Sequence, residues 1–183
     1  MTKKVFFDAE FTGEHQFSTL VSVGMVGENL ESFYICFKDF NQNQVTDWLK
    51  KNVLKDIEKE KKYSYAEGFK LIKNWLEKYS SGEPISLVSM GKTLDLVLFF
   101  QLWHLDYPQR KYFHNLYCLP DYLNHSKHYD LATLMMAAKI DPDFDRQKLV
   151  KIEEKTNRHN ALYDAKVVKK VYELCVKNLN GFN

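Results

Sequence analysis

Over the first forty positions the apolar residues come in short blocks, and beyond them the spacing turns helical. Residues 4–9, 19–26 and 31–37 are rich in Val, Phe, Ile and Tyr and are divided by turns containing Gly, Glu and Asn, a pattern that predicts an antiparallel three-strand meander. Helical spacing follows over 45–51 and again over 65–79, where Phe69, Ile72, Trp75 and Leu76 fall at i, i+3, i+6 and i+7. After Gly82-Glu83-Pro84, residues 85–90 read as a strand. Gly91 then opens a turn into the almost wholly apolar segment 94–103, expected to be a buried helix. A short strand near 116–118, a helix over 131–139 with Asp130 as its N-cap, and a C-terminal helix over 160–176 complete the outline. The charged stretch 141–157, which carries Pro142, is expected to be a mobile loop. Strands grouped first and alternating with helices later predict an α/β fold: a mixed five-stranded sheet flanked by helices, in one domain over 1–183.

Composition bounds the function only loosely. With 183 residues, 45% of them hydrophobic, the chain is long enough for one substantial core. Its 26 Lys+Arg against 24 Asp+Glu, a formal charge of +2, is far from the balance of proteins that coat nucleic acid. A site built of carboxylates would hide a modest basic rim in that total. Cys36, Cys118 and Cys175 are odd in number and form no C-x-x-C pair, which argues against a disulfide framework or a zinc ribbon. No stretch approaches the roughly 20 apolar residues of a membrane span. No signal region precedes Val5-Phe6-Phe7, so a soluble cytoplasmic protein without a membrane partner is expected.

The chemistry is carried by carboxylates. Asp8 and Glu10 lie two apart near the end of the first strand, so alternation puts both on one face. Taken alone, D-x-E at a strand end is more often a solvated rim. Asp95 follows the 85–90 strand and sits in the first turn of an apolar helix, where it either complements the helix dipole or joins a site. His159 and Asp164 are five apart, about 140° around a continuous helix, so they would not share a face there. His159 is therefore expected to precede the helix, Asn160 to cap it and Asp164 to lie in its first turns. An imidazole on such a lead-in can accept a proton near neutral pH.

Asp8-Ala9-Glu10-Phe11-Thr12-Gly13, then Asp95, then His159 with four residues before Asp164, resemble the ordered motifs of the DEDDh exonuclease superfamily, and the resemblance spans nearly the whole chain. Within it, Val5-Phe6-Phe7-Asp8-Ala9-Glu10-Phe11, residues 48–54 and Phe100-Gln101-Leu102-Trp103 look most similar to the ribonuclease AS-type exoribonucleases, with oligoribonucleases as related members. The resemblance implies a ribonuclease H-like fold and a 3'-5' exoribonuclease. It implies two divalent cations, Mg²⁺ or Mn²⁺, on Asp8, Glu10, Asp95 and Asp164, with His159 as general base and Phe11 and Thr12 touching the terminal nucleotide. The implied partner is the 3' end of single-stranded RNA, with DNA left open, and homodimers are common in the family. One departure is Gly91, where many members carry Asn.

Other side chains are candidates on type alone: Phe11, Tyr122, Phe144 and Tyr163 for stacking on unpaired bases, and Lys92, Lys127, Arg146 and Arg158 for phosphates. Three rival readings stand beside the exoribonuclease. They are a catalytically silent nucleic-acid-binding module, a DNA-trimming exonuclease, and a zinc hydrolase using Cys118, His125 and His128, which lacks the Glu of the usual helical zinc motif.

Overall fold

The computed structural model describes residues 2–90, 93–123, 127–152 and 159–180. Three strands, β1 (Lys3–Phe11), β2 (Leu20–Gly27) and β3 (Ser32–Phe37), lead into α1 (Asp47–Leu49), which continues as a π-helical turn (Lys50–Leu54). Then come β4 (Lys62–Tyr63), α2 (Tyr65–Ser80), β5 (Ile85–Ser89) and α3 (Thr93–Gln101), the last extended by a 3-10 turn (Leu102–Asp106). The chain finishes with α4 (Asn115–Cys118), β6 (Tyr129–Asp130), α5 (Leu131–Ala137), α6 (Arg146–Leu149) and α7 (Ala161–Asn180). The strands form one mixed sheet in the order β4-β3-β2-β1-β5-β6. β2 is antiparallel to both β1 and β3, and the other pairings are parallel. This is the expected ribonuclease H-like α/β arrangement, meander first.

The strand count differs from the sequence expectation. Residues 116–118 lie in α4, where the N–H groups of Tyr117 and Cys118 donate to the His114 carbonyl at 2.9 and 2.8 Å, so no neighbouring strand is needed to satisfy them. The place beside β5 is taken by β6, and β4 adds a sixth strand at the opposite edge. At two residues each, neither displays an alternation that a sequence pattern could reveal. Within the expected loop 141–157, Asp145 caps the short α6 by accepting from the N–H groups of Gln147 and Lys148, while residues 153–157 lie outside the described part.

Helices cover both faces of the sheet. On one, Val5, Phe7 and Ala9 of β1 pack with α2, α3 and the 3-10 turn after it through Phe69, Ile72, Leu76, Phe99 and Trp103. On the other, Phe6 and Val26 pack with Val167, Val168 and Val171 of α7 and with Leu131 and Met135 of α5. Phe6, Asp8 and Glu10 alternate onto this second face, opposite Val26, Gly24 and Ser22 of β2. The apolar pair at Phe6 and Val26 thus lies under the body of α7, and the acidic positions lie under its N-terminus.

Gly24 sets how closely that N-terminus can approach. A Cβ there would fall inside the van der Waals radii of the Ala161 carbonyl and the Leu162 nitrogen, which are backbone atoms with no freedom to step aside. Replacing Gly24 by Ala should therefore force α7 off the sheet. Overpacking of this kind costs about 2 kcal/mol or more, well beyond the ~0.4–1 kcal/mol that Gly→Ala gains through the unfolded chain. Differential scanning calorimetry of Gly24→Ala should show the melting temperature lowered by roughly 5 °C; an unchanged value would contradict this packing.

Candidate active site

Three of the four sequence-identified acids come together. Asp8 and Glu10 of β1 and Asp164, in the first turn of α7, each offer a carboxylate oxygen, and these oxygens lie within 4.8 Å of one another. Between Glu10 and Phe11 the β1–β2 register slips, a bulge that re-aims the residues following Glu10. Asp95, in the first turn of α3, is 7% exposed and accepts a hydrogen bond from the Ala9 N–H at 3.1 Å. It thereby holds the stretch of β1 that separates the other two acids. All four line a cleft of about 640 Å³, together with His159, Phe11 and Arg146.

Electrostatics make this arrangement unfavourable for the bare protein. Burial, then the charges of Asp164 and Asp95, push the Glu10 carboxyl from its ordinary 4.5 up to about 8. Burial likewise raises Asp8 well above the usual carboxylate range, reinforced by Asp95, Asp164 and Glu10, while Arg146 pulls modestly the other way. Oxygen donors held this close and mutually repelling suit a hard divalent cation, whose charge would replace the protons. The donor set thus fits a divalent metal.

His159 stands just before α7, as the five-residue spacing required, with φ of 64°. Asn160 caps the helix by accepting from the Tyr163 N–H at 3.1 Å, and its amide donates to the Tyr34 hydroxyl at 3.3 Å. The His159 N–H donates to Asp164 Oδ2 at 3.0 Å, so the imidazole-bearing residue is tied to the acid it precedes. Its ring meets Trp48 of α1 edge-on, with centroids 4.9 Å apart. Trp48 is 54% exposed, and the sequence reading gave it no role in the site. The available signal was a large aromatic in a Thr46-capped helix whose core position is already taken by the neighbouring Leu49.

The remaining candidates divide. Phe11 lines the cleft while packing on the core, and Phe144 and Arg146 line it from the far side. Thr12 is 3% exposed and does not line the cleft: its hydroxyl donates to Gln44 Oε1 at 2.7 Å and accepts from the Thr19 N–H at 2.9 Å, which closes the β1–β2 connection. Tyr122 packs against the core and Tyr163, in the first turn of α7, is buried in the core on that face of the sheet, so neither presents a face for stacking. Gly91, Lys92, His125 and Arg158 lie outside the described residues. Nδ1 of His128 accepts from the Leu87 N–H at 3.0 Å and its ring packs on Phe100, a structural use that removes support from the zinc reading.

The raised carboxyl values fix a sign for pH dependence. A carboxyl whose folded value exceeds its unfolded one contributes stability that is complete below the unfolded value and lost as pH rises through the folded one. For Glu10 the loss runs from about 4.5 to about 8, with Asp8 acting in the same direction. Metal-free protein should melt at lower temperature at pH 8.5 than at pH 5, and Mg²⁺ or Mn²⁺ should raise the melting temperature more at the higher pH. Glu10→Gln should flatten the metal-free profile and blunt the cation effect. A profile with the opposite slope, or equal cation effects at both pH values, would overturn this account of the cluster.

Among the described residues no helix is long and apolar enough to cross a membrane. No curated protein matches the chain. The model of the 3'-5' exoribonuclease Rv2179c-like domain matches residues 3–176, from the first residue of β1 to within the last turns of α7. With the match covering all but the chain's two ends, the protein belongs to the Rv2179c-like family of 3'-5' exoribonucleases.

Proposed function

We propose that this chain acts as one domain over 1–183, a metal-dependent exoribonuclease of the DEDDh type, similar to the ribonuclease AS-type enzymes. In this reading it shortens single-stranded RNA from the 3' end and releases nucleoside 5'-monophosphates. One observation carries it: the convergence of Asp8, Glu10 and Asp164 within 4.8 Å, in a cleft also lined by Asp95 and His159. Asp8, Glu10 and Asp164 would hold one divalent cation, and Asp8 would share in a second, with Asp95 fixing β1 beneath them. When bound, such cations supply Lewis-acid stabilisation of the attacking and departing oxygens of a phosphodiester.

The chain's own residues do the rest. His159 accepts the proton of the attacking water as the new P–O bond forms and the bond to the 3'-oxygen breaks. The bond from the backbone N–H of His159 to Asp164 holds its main chain and the Trp48 edge contact braces the ring, which narrows where the imidazole can point before substrate arrives. Phe11 offers the terminal base an aromatic surface, and Thr12 acts indirectly by holding the turn that follows it. Arg146 supplies positive charge at an otherwise acidic wall, where phosphate oxygens must enter.

The test uses 5'-labelled single-stranded RNA and DNA of the same sequence with Mg²⁺, Mn²⁺ or chelator. RNA should give a ladder shortening from the 3' end that vanishes with chelator, and DNA should be cut more slowly. His159→Ala should lower kcat by about 10²- to 10⁴-fold, and Asp8→Asn or Asp164→Asn should abolish turnover. Retention of activity in either Asp variant would overturn the site assignment. Metal binding without a ladder on either strand would make the protein a silent binding module.

A further inference from the structure

Beyond the acidic cleft, the segment that follows α3 and its 3-10 turn gathers exposed aromatics and cations. Tyr112 and Tyr117 are 62% and 64% exposed and, with Arg110, Lys111 and His114, line a second concavity of about 340 Å³. The Arg110 guanidinium sits 4.9 Å from the Tyr107 ring and 5.8 Å from that of Tyr117, and the Lys111 ammonium is 5.2 Å from the Tyr112 ring. Residues 107–120 contain no acid. The nearest one before them, Asp106, is engaged by both its oxygens with Lys73 at 2.7 and 2.8 Å. Among the described residues, neither Arg110 nor Lys111 has a carboxylate partner.

The surface is built rather than incidental. His104 Nε2 meets the Arg110 carbonyl at 2.6 Å, the Arg110 N–H donates to Tyr107 O at 2.9 Å, and Arg110 Nη1 reaches the buried Cys118 sulfur at 3.9 Å. Tyr107 is partly buried against the core. These contacts fix a guanidinium between two rings, so little side-chain freedom remains to be lost on binding. None of these residues lines the acidic cleft. From Asp95, in the first turn of α3, the rest of that helix and the 3-10 turn carry the chain roughly 20 Å before the segment begins.

We infer that Arg110, Lys111, Tyr112 and Tyr117 form a second RNA-binding site, which holds the 5'-ward part of a single-stranded RNA whose 3' end lies in the acidic cleft. The inference rests on the reading of the chain as an exoribonuclease. Unpaired bases present π-faces and phosphates present charge, and alternating exposed rings and unneutralised cations are complementary to both. Arg and Tyr also suit a protein interface core, but Lys is depleted there, so the ammonium of Lys111 beside the Arg110 guanidinium favours a polyanion. Because the site lies away from the chemistry, it acts on long substrates and leaves the shortest ones untouched.

Fluorescence anisotropy of the full chain in chelator, with labelled RNA of about 20 nucleotides, reads binding without turnover. R110Q/K111Q and Y112A/Y117A should each raise Kd about tenfold, in line with one stacked base or a pair of phosphate contacts. Only R110Q/K111Q should also reduce the slope of log K against log salt, by about 1.4 for two phosphates on a single strand. Hydrolysis of a trinucleotide should be unchanged in both variants. An unchanged Kd for the long RNA in both would overturn the inference. So would intact RNA binding accompanied by conversion of a dimer to monomers in sedimentation, which would give the surface to a second copy of the chain. If the catalytic assignment fails instead, hydrolysis is absent while the Kd ratio persists; if this site fails, hydrolysis persists and the ratio is one.

Discussion

The close approach of α7 to β2 at Gly24 is the constraint on which the rest of the structure depends. Where a side chain would ordinarily hold a helix well away from a sheet, here the Ala161 and Leu162 backbone rests directly on the strand, opposite Asp8 across the β1–β2 ladder. That proximity puts the first turn of α7 over Asp8 and Glu10 and brings Asp164 into their company. It also delivers His159 and the Asn160 cap to the same edge, with the Asn160 amide reaching Tyr34 on the next strand. The apolar remainder of α7, through Val167, Val168 and Val171, supplies the burial that holds the helix against the opposing repulsion of the acids.

Fold and site therefore pull in opposite directions. Three carboxylates gathered where water is partly excluded are costly, and Glu10 remains protonated up to about pH 8 unless another positive charge replaces the proton. The surrounding structure is organised to tolerate this. Asp95 spends one oxygen on the Ala9 N–H, and the Asp164 oxygen that meets His159 is satisfied by a backbone donor. Local rules broken at one place in an otherwise consistent fold are what a site of chemistry looks like.

Much of this was legible in the chain. The period of two in Asp8-Ala9-Glu10 requires a shared face, and the five-residue gap from His159 to Asp164 requires that the histidine precede the helix; both hold in the structure. The Asn160 and Asp130 caps were visible because capping is local chemistry. What escaped depends on partners distant in sequence. Gly24 looks like any strand glycine until α7 lies across it, Asp95 shows no sign of its bond to Ala9, and Thr12 looks as ready for a ligand as for Gln44 and Thr19. Trp48 falls in a segment that carries the family resemblance, yet its role beside the imidazole was hidden because its neighbour His159 arrives from the far end of the chain. The residues of α4 are apolar enough for a strand, yet their N–H groups are satisfied locally.

The two edges of the sheet carry a consequence for how the molecule meets others of its kind. β4 and β6 each consist of two residues, so the outermost strand on either side offers an incoming strand only a very short ladder. Growth of the sheet from one molecule into the next, the usual route from a β-rich fold to a fibre, is thereby discouraged at both ends. Association between copies is steered instead toward side chains on the helical layers, where shape and charge decide the partner and not the indiscriminate hydrogen bonding of exposed backbone.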